Sequence, residues 1–144
     1  MKVNSSQKYT LGFIFDKKCK HVLLIHKQKP KWQKGKINGV GGKCEAGETT
    51  EGCIRREVQE ETRLDIPEES WAYVGTIHQE VGDVGVLVTR YHGSMAHAVT
   101  NDHEEIEWFD ISKLPDNAMS NLHWLIPLSL EKLEGKCKSF SVEY

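Results

Sequence analysis

The sequence predicts an α+β fold, a mixed sheet with two helices packed on it. Three observations lead there. Apolar stretches of strand length come in hairpin pairs, one polar helix separates the pairs, and a second, apolar helix follows near the end. Strands grouped around one central helix favour α+β packing over a doubly wound parallel sheet. The 144 residues are enough for one domain with a real core, and no linker, repeat or low-complexity segment divides residues 1–144.

Each element follows from local pattern. Tyr9, Leu11, Phe13 and Phe15 alternate with Thr10, Gly12 and Ile14, as in a strand with one face more deeply buried. Val22, Leu23, Leu24 and Ile25 form a continuous apolar run, and a turn over Asp16 to Lys20 makes the two a hairpin. KQKPKWQKGKINGVGGK, rich in lysine and glycine, reads as a long exposed loop of the kind that often carries function. From Thr50 to Thr62 the pattern is helical, with Thr49 or Thr50 as the N-terminal cap and Ile54, Val58 and Cys53 as an inward stripe. WAYVGTIHQ and VGVLVTRYHG form a second hairpin turning near Gly82-Asp83, and EIEWFDI is a further strand. NLHWLIPLSLEKL is the second helix. Pro127 requires it to start only a few residues earlier or to kink.

Charge narrows the function. The net charge of −2 argues against a general nucleic-acid binder, which is usually basic. Locally the chain is polarised. Eight lysines and no acid lie between Lys17 and Lys36, and nine acids against three arginines lie between Glu45 and Glu69. Such neighbours suit a polyanion held together with its metal ion, or two solvated faces. The four cysteines show no C-x-x-C and the seven histidines no H-x-x-x-H, so neither a zinc site nor a disulfide framework is indicated. The first residues, MKVNSSQKYT, lack a signal-peptide core and no run approaches a membrane span, so the expected location is cytoplasmic.

Glu57, Glu60 and Glu61 stand at i, i+3 and i+4 and share one helical face. Bare, they repel and raise one another's pKa. A hard divalent cation such as Mg²⁺, with Mn²⁺ as a substitute, reverses this and bridges carboxylates to phosphates. The spacing around them is more telling. Gly42 is followed after five residues by Glu48, then after seven by Arg56-Glu57-Val58-Gln59-Glu60-Glu61, with Leu64 closing the pattern.

That arrangement resembles the Nudix hydrolase motif G-x5-E-x7-R-E-U-x-E-E-x-G-U, U being aliphatic. One position departs: Arg63 stands where the motif has glycine. That glycine would end the helix in a left-handed conformation, and an arginine there costs about 1 kcal/mol or forces a different helix end. The resemblance implies the Nudix fold, an α/β/α sandwich with a mixed central sheet and a loop-helix-loop catalytic motif. It also implies metal-assisted attack of water on a phosphoanhydride of a nucleotide. By position, Glu57, Glu60, Glu61 and the Gly41 carbonyl would hold Mg²⁺, while Glu48 and Arg56 would pair and lock the loop onto the helix. Glu57 is the first choice of general base, with Asp102, Glu104 and Glu105 as later alternatives.

The flanks resemble the MutT-like branch that hydrolyses nucleoside triphosphates, including oxidised purine nucleotides such as 8-oxo-dGTP. Asn38 falls where that branch sets an asparagine against the base, and it is equally a natural turn residue before Gly39. Asn121 is a second base-reading candidate, Lys43 a phosphate contact, and Thr10 a residue facing the base pocket. Trp32 and Trp124 can stack on a base or belong to the core. The implied protein is a monomer acting on a small-molecule nucleotide, without a stable nucleic-acid or membrane partner. Unmodified or pyrimidine triphosphates, ADP-ribose, or binding without catalysis are the competing readings.

Overall fold

The computed structural model describes residues 7–144. Seven strands make one mixed sheet: β1 (Lys8–Phe15), β2 (His21–His26), β3 (Ile37–Asn38), β4 (Ala72–Gln79), β5 (Gly82–Arg90), β6 (Ile106–Asp110) and β7 (Phe140–Glu143). Two helices accompany them, α1 (Thr50–Thr62) and α2 (Leu122–Leu133). The sheet runs β3-β2-β1-β5-β4-β7, and β6 pairs with β2. β1 with β5 and β4 with β7 are parallel; the other strand pairs are antiparallel.

Side-chain alternation along the strands builds two cores. Phe13, Phe15, Val22, Leu24, Val86 and Val88 pack with Leu122, Leu125 and Ile126 of α2. Ile14, Leu23, Ile25 and Leu87, from the opposite face, pack with Ile54 and Val58 of α1. Neighbouring residues point to opposite faces of a strand, so one sheet separates the two clusters. Burying Ile54 and Val58 stabilises α1 by roughly 1.5–3 kcal/mol for each side chain. The expected α+β sandwich is therefore present. One detail of β1 is corrected: both of its faces are buried from Thr10 to Phe15, because a helix covers each side.

The lysine-rich segment is also corrected, since it is exposed only in its first half. Ile37 and Val40 are buried. The chain there enters the gap between β1 and β2, which pair only at Ile14↔Leu23 and Phe15↔Val22. β3 bonds to the end of β2, and residues 40–44 bond to the start of β1: Gly12 donates to Val40 O at 2.6 Å and Thr10 to Gly42 O at 2.8 Å. This wedge carries the glycine pair of the motif onto the sheet. The second hairpin reverses at Glu80-Val81, not Gly82-Asp83, which already pair with Gln79 and His78. In α2, Leu122 begins the helix five residues before Pro127, and the proline lies on the exposed side.

Candidate active site

The motif helix has a defined start and a strained end. Thr49, in extended backbone, accepts the Gly52 N–H at 3.0 Å and satisfies one of the free donors of the first turn. At the other end Arg63 adopts the left-handed conformation itself, with φ at 67°, and donates its N–H to Gln59 O at 3.0 Å. The helix end of the motif is kept without its glycine. Asn101 helps to hold it there: Oδ1 accepts from Arg63 Nε at 2.7 Å, and Nδ2 donates to Glu60 O at 3.0 Å.

Arg56 organises the helix face. It meets both carboxylate oxygens of Glu48, at 2.7 and 2.9 Å, and holds that acid down to about 2. Its remaining donors reach Glu57 at 3.2 Å, Glu60 at 3.0 Å and the Lys43 carbonyl at 3.1 Å. One guanidinium thus ties the loop 43–48 to the helix, using its planar set of donors.

The glycine pair brings the backbone against the carboxylates. Gly41 has φ at 133° and a Cβ there would collide with the Thr10 carbonyl, so no other residue fits. Its N–H donates to Glu61 Oε1 at 3.0 Å, while its carbonyl meets no backbone donor among the described residues. A Cβ on Gly42 would stand 2.7 Å from the Glu57 carboxyl. Glu61 is 7% exposed, and burial pushes it up to about 8 despite the Gly41 N–H. Burial also raises Glu57; the Arg56 charge opposes this and the Glu60 charge adds to it.

A cavity of about 730 Å³ collects most of the candidates. Thr10, Asn38, Gly41 and Lys43 line it, together with Glu57, Glu60 and Glu61. Asp102, Glu104, Asn121 and Trp32 complete the set, while Glu48 and Arg56 stand behind it. The Thr10 hydroxyl is engaged with Cys53 Sγ at 3.3 Å and the Gly42 carbonyl at 3.4 Å. Asn38 accepts the Gly39 N–H at 2.8 Å and donates to Gln33 at 3.1 Å. The cavity also exposes Lys27, Lys29 and Gln33, which the sequence showed only as members of a loop.

Asn121 is different. It precedes the first turn of α2 without using its side chain as a cap, and its Oδ1 is buried with no hydrogen-bond partner. Buried polar atoms are nearly always paired, and leaving one unmade costs about 1–3 kcal/mol. The side chain lines the cavity, and a turn of its amide would bring that oxygen to a ligand donor.

The alternative general bases separate clearly. Glu104 would be raised by burial, but the backbone N–H groups of Gln28 and Lys29, at 2.5 and 3.1 Å, and the Lys27 ammonium hold it lower than usual. Its oxygens are committed to anchoring the wall that carries Lys27 and Lys29. Glu105 points away, toward His26 and Glu107, and does not line the cavity; the strand register turns it to the other face. Asp102 lines the cavity and is half-exposed. Trp124 is not in the cavity either, because α2 turns it edge-on against Phe140 at 5.7 Å. Trp32 stands at the cavity, 63% exposed.

The donor set fits a hard cation. Glu57, Glu60, Glu61 and the free Gly41 carbonyl supply only oxygens, which Mg²⁺ and Mn²⁺ favour. The three carboxylates do not bring one oxygen each within 4.8 Å of the others: Arg56 Nη1 holds Glu57 and Glu60 together, while the Gly41 N–H holds Glu61. Two of the three are nonetheless desolvated beside each other, the arrangement a divalent charge relieves.

Residues 6–127 match the NUDIX domain family. The chain belongs to the Nudix family. Over 119 residues it is 34% identical to the oxidized purine nucleoside triphosphate hydrolase of Danio rerio, covering 76% of this chain and 72% of that protein. The protein of the same name from Mus musculus is 29% identical over 136 residues, 90% and 83% of the respective chains. A solved structure from work on MutT of Aliivibrio salmonicida and Vibrio cholerae superposes with a TM-score of 0.67 at 16% identity, covering 87% and 98%. The chain is thus a Nudix hydrolase with the fold of the MutT structures, and enzymes of this family generally work with a divalent metal on nucleotide substrates. No helix among the described residues is long and apolar enough to cross a membrane.

Proposed function

We propose that this Nudix hydrolase cleaves a nucleoside triphosphate to the monophosphate and pyrophosphate, with an oxidised purine nucleotide such as 8-oxo-dGTP as preferred substrate. The observation that carries the reading is Asn121, whose side chain lines the same cavity as the motif carboxylates while its buried Oδ1 has no partner. Once the amide turns toward the cavity, a base edge bearing an N–H satisfies that oxygen, and a base without the matching donor leaves it unpaired. Sites of this kind discriminate strongly, since the penalty falls on the wrong ligand. Asn38 presents a second amide, and Trp32 an aromatic face. The names of the zebrafish and mouse relatives support the same substrate class. The volume suits one nucleotide.

Glu57, Glu60, Glu61 and the Gly41 carbonyl would hold Mg²⁺, or Mn²⁺ in its place. The bound cation would neutralise phosphate charge, orient the leaving group and make the attacking water more acidic. The chain's own residues do the rest. Glu57 takes the proton from the attacking water as the water oxygen bonds to phosphorus and the bridging P–O bond of the α–β anhydride breaks, the bridging oxygen leaving with the other phosphate product. Glu48 and Arg56 keep the loop seated on the helix so that Gly41 and Glu57 hold their places. Lys43 and Lys29 offer charge to the departing phosphates. Such an enzyme would act as a monomer and meet its substrates in the cytoplasmic nucleotide pool.

The test is pyrophosphate and phosphate release from 8-oxo-dGTP, dGTP, pyrimidine triphosphates and ADP-ribose, in Mg²⁺ and in EDTA. The expected result is a kcat/KM far higher for 8-oxo-dGTP than for dGTP, abolished by EDTA. A flat profile removes the base assignment, and dominant ADP-ribose turnover removes the triphosphate reading. Glu57→Gln is expected to lower turnover by at least ~100-fold, and a near-normal rate would assign the base elsewhere.

A further inference from the structure

A second cluster of ligand atoms lies outside the cavity. His26, Glu105 and Glu107 each present one atom, all within 4.8 Å of one another, the only such group of three among the described residues. His26 Nε2 stands 2.9 Å from Glu107 Oε1 and 3.9 Å from Glu105 Oε1. The sheet sets this geometry. Leu24 pairs with Glu107 across β2 and β6, and the His26 N–H donates to the Glu105 carbonyl at 2.8 Å. The three side chains therefore project from one face of adjacent strands. The imidazole is further oriented by Phe109, whose ring centre lies 6.0 Å away.

We propose that His26, Glu105 and Glu107 form an exterior site for a borderline divalent cation of the Zn²⁺ class. Bonds of about 2.0–2.1 Å to imidazole nitrogen and carboxylate oxygen set tetrahedral ligand separations of about 3.3–3.4 Å. The observed separations of 2.9 and 3.9 Å bracket that value. Charge points the same way. Neither Glu105 nor Glu107 has a lysine or arginine within 4.0 Å among the described residues, so one imidazole faces two carboxylates. A divalent ion on a neutral imidazole and two carboxylates gives a balanced site. Imidazole nitrogen also separates it from the all-oxygen set in the cavity, because Mg²⁺ prefers oxygen.

The site adjoins the cavity wall. Lys27 and Glu104 follow His26 and precede Glu105, face the other way, and bridge at 3.2 Å. Glu104 in turn holds the backbone of Gln28 and Lys29. A cation clamping His26 to Glu105 and Glu107 fixes both strand ends from which that wall is built.

The experiment is calorimetric titration of Zn²⁺ into EDTA-treated, dialysed protein, for the wild type, His26→Ala and Glu107→Gln. The wild type should bind one more Zn²⁺ per chain than His26→Ala. Glu107→Gln should weaken that site by at least ~10-fold, no less than the loss of a group behind a metal ligand. Zn²⁺ taken up by the cavity carboxylates or the cysteines cancels in this comparison, because every variant keeps them. Co²⁺ should give a visible absorption band in the wild type that His26→Ala lacks. Equal stoichiometry and affinity in wild type and His26→Ala overturns the site. Should His26→Ala fail to fold, Glu107→Gln decides alone, and unchanged Zn²⁺ affinity in it overturns the site equally.

Discussion

Glu61 shows how one residue couples the site to stability. Its carboxyl is raised to about 8 in the folded chain, chiefly by burial, whereas an unfolded glutamate titrates near the ordinary 4.5. Between those values the folded state holds a proton that the unfolded state has released. Stability contributed by Glu61 is therefore complete below about 4.5 and is lost as pH rises through about 8. Glu61→Gln removes the titration and keeps an oxygen for the Gly41 N–H. In EDTA, the wild-type melting temperature should fall from pH 5 to pH 9 by more than that of Glu61→Gln. Parallel melting curves across that range would show that the carboxyl is already ionised at pH 5.

At the scale of the element, the ends of α1 were the most legible part of the site and also where the sequence departed from pattern. The spacing from Gly42 to Leu64 placed the carboxylates on one face, since helical geometry fixes this, and the threonines at the helix start offered Thr49 or Thr50 as the cap, of which Thr49 serves. It could not say how Arg63 replaces a glycine. The answer lies in Asn101, which is distant in sequence and accepts from the Arg63 side chain. Glu104 was hidden for the same reason, because its partners Lys27, Gln28 and Lys29 come from another element. Two variants separate strain from hydrogen bonding at the helix end. Arg63→Ala keeps the left-handed cost and loses the bond to Asn101, while Arg63→Gly loses the bond and relieves the cost. Arg63→Gly should therefore be the more stable of the two by about 1 kcal/mol, or roughly 3–5 °C in Tm. Equal melting temperatures would mean that the left-handed backbone at position 63 carries no penalty.

Across the whole molecule, the alternating and continuous apolar runs announced β1, β2, β4, β5 and β6, since each carries enough side chains to show its period. β3 has two residues and β7 four, and both exist because a neighbouring strand offers an unpaired edge. Such pairing is a tertiary fact and leaves no local signal. The depth of β1 was likewise set by the helices on either side and not by its own alternation. That makes β1 a test of the sandwich. Ile14 and Phe15 are adjacent and fully buried, one under α1 and the other under α2. Ile14→Ala should cost about 2–5 kcal/mol and Phe15→Ala about 3–5 kcal/mol, read from the midpoint of denaturant unfolding at unchanged m. A sheet packed on one face only would tolerate one of the two changes with little loss. Two losses of similar size, from neighbouring residues, require a core on each side of the same strand.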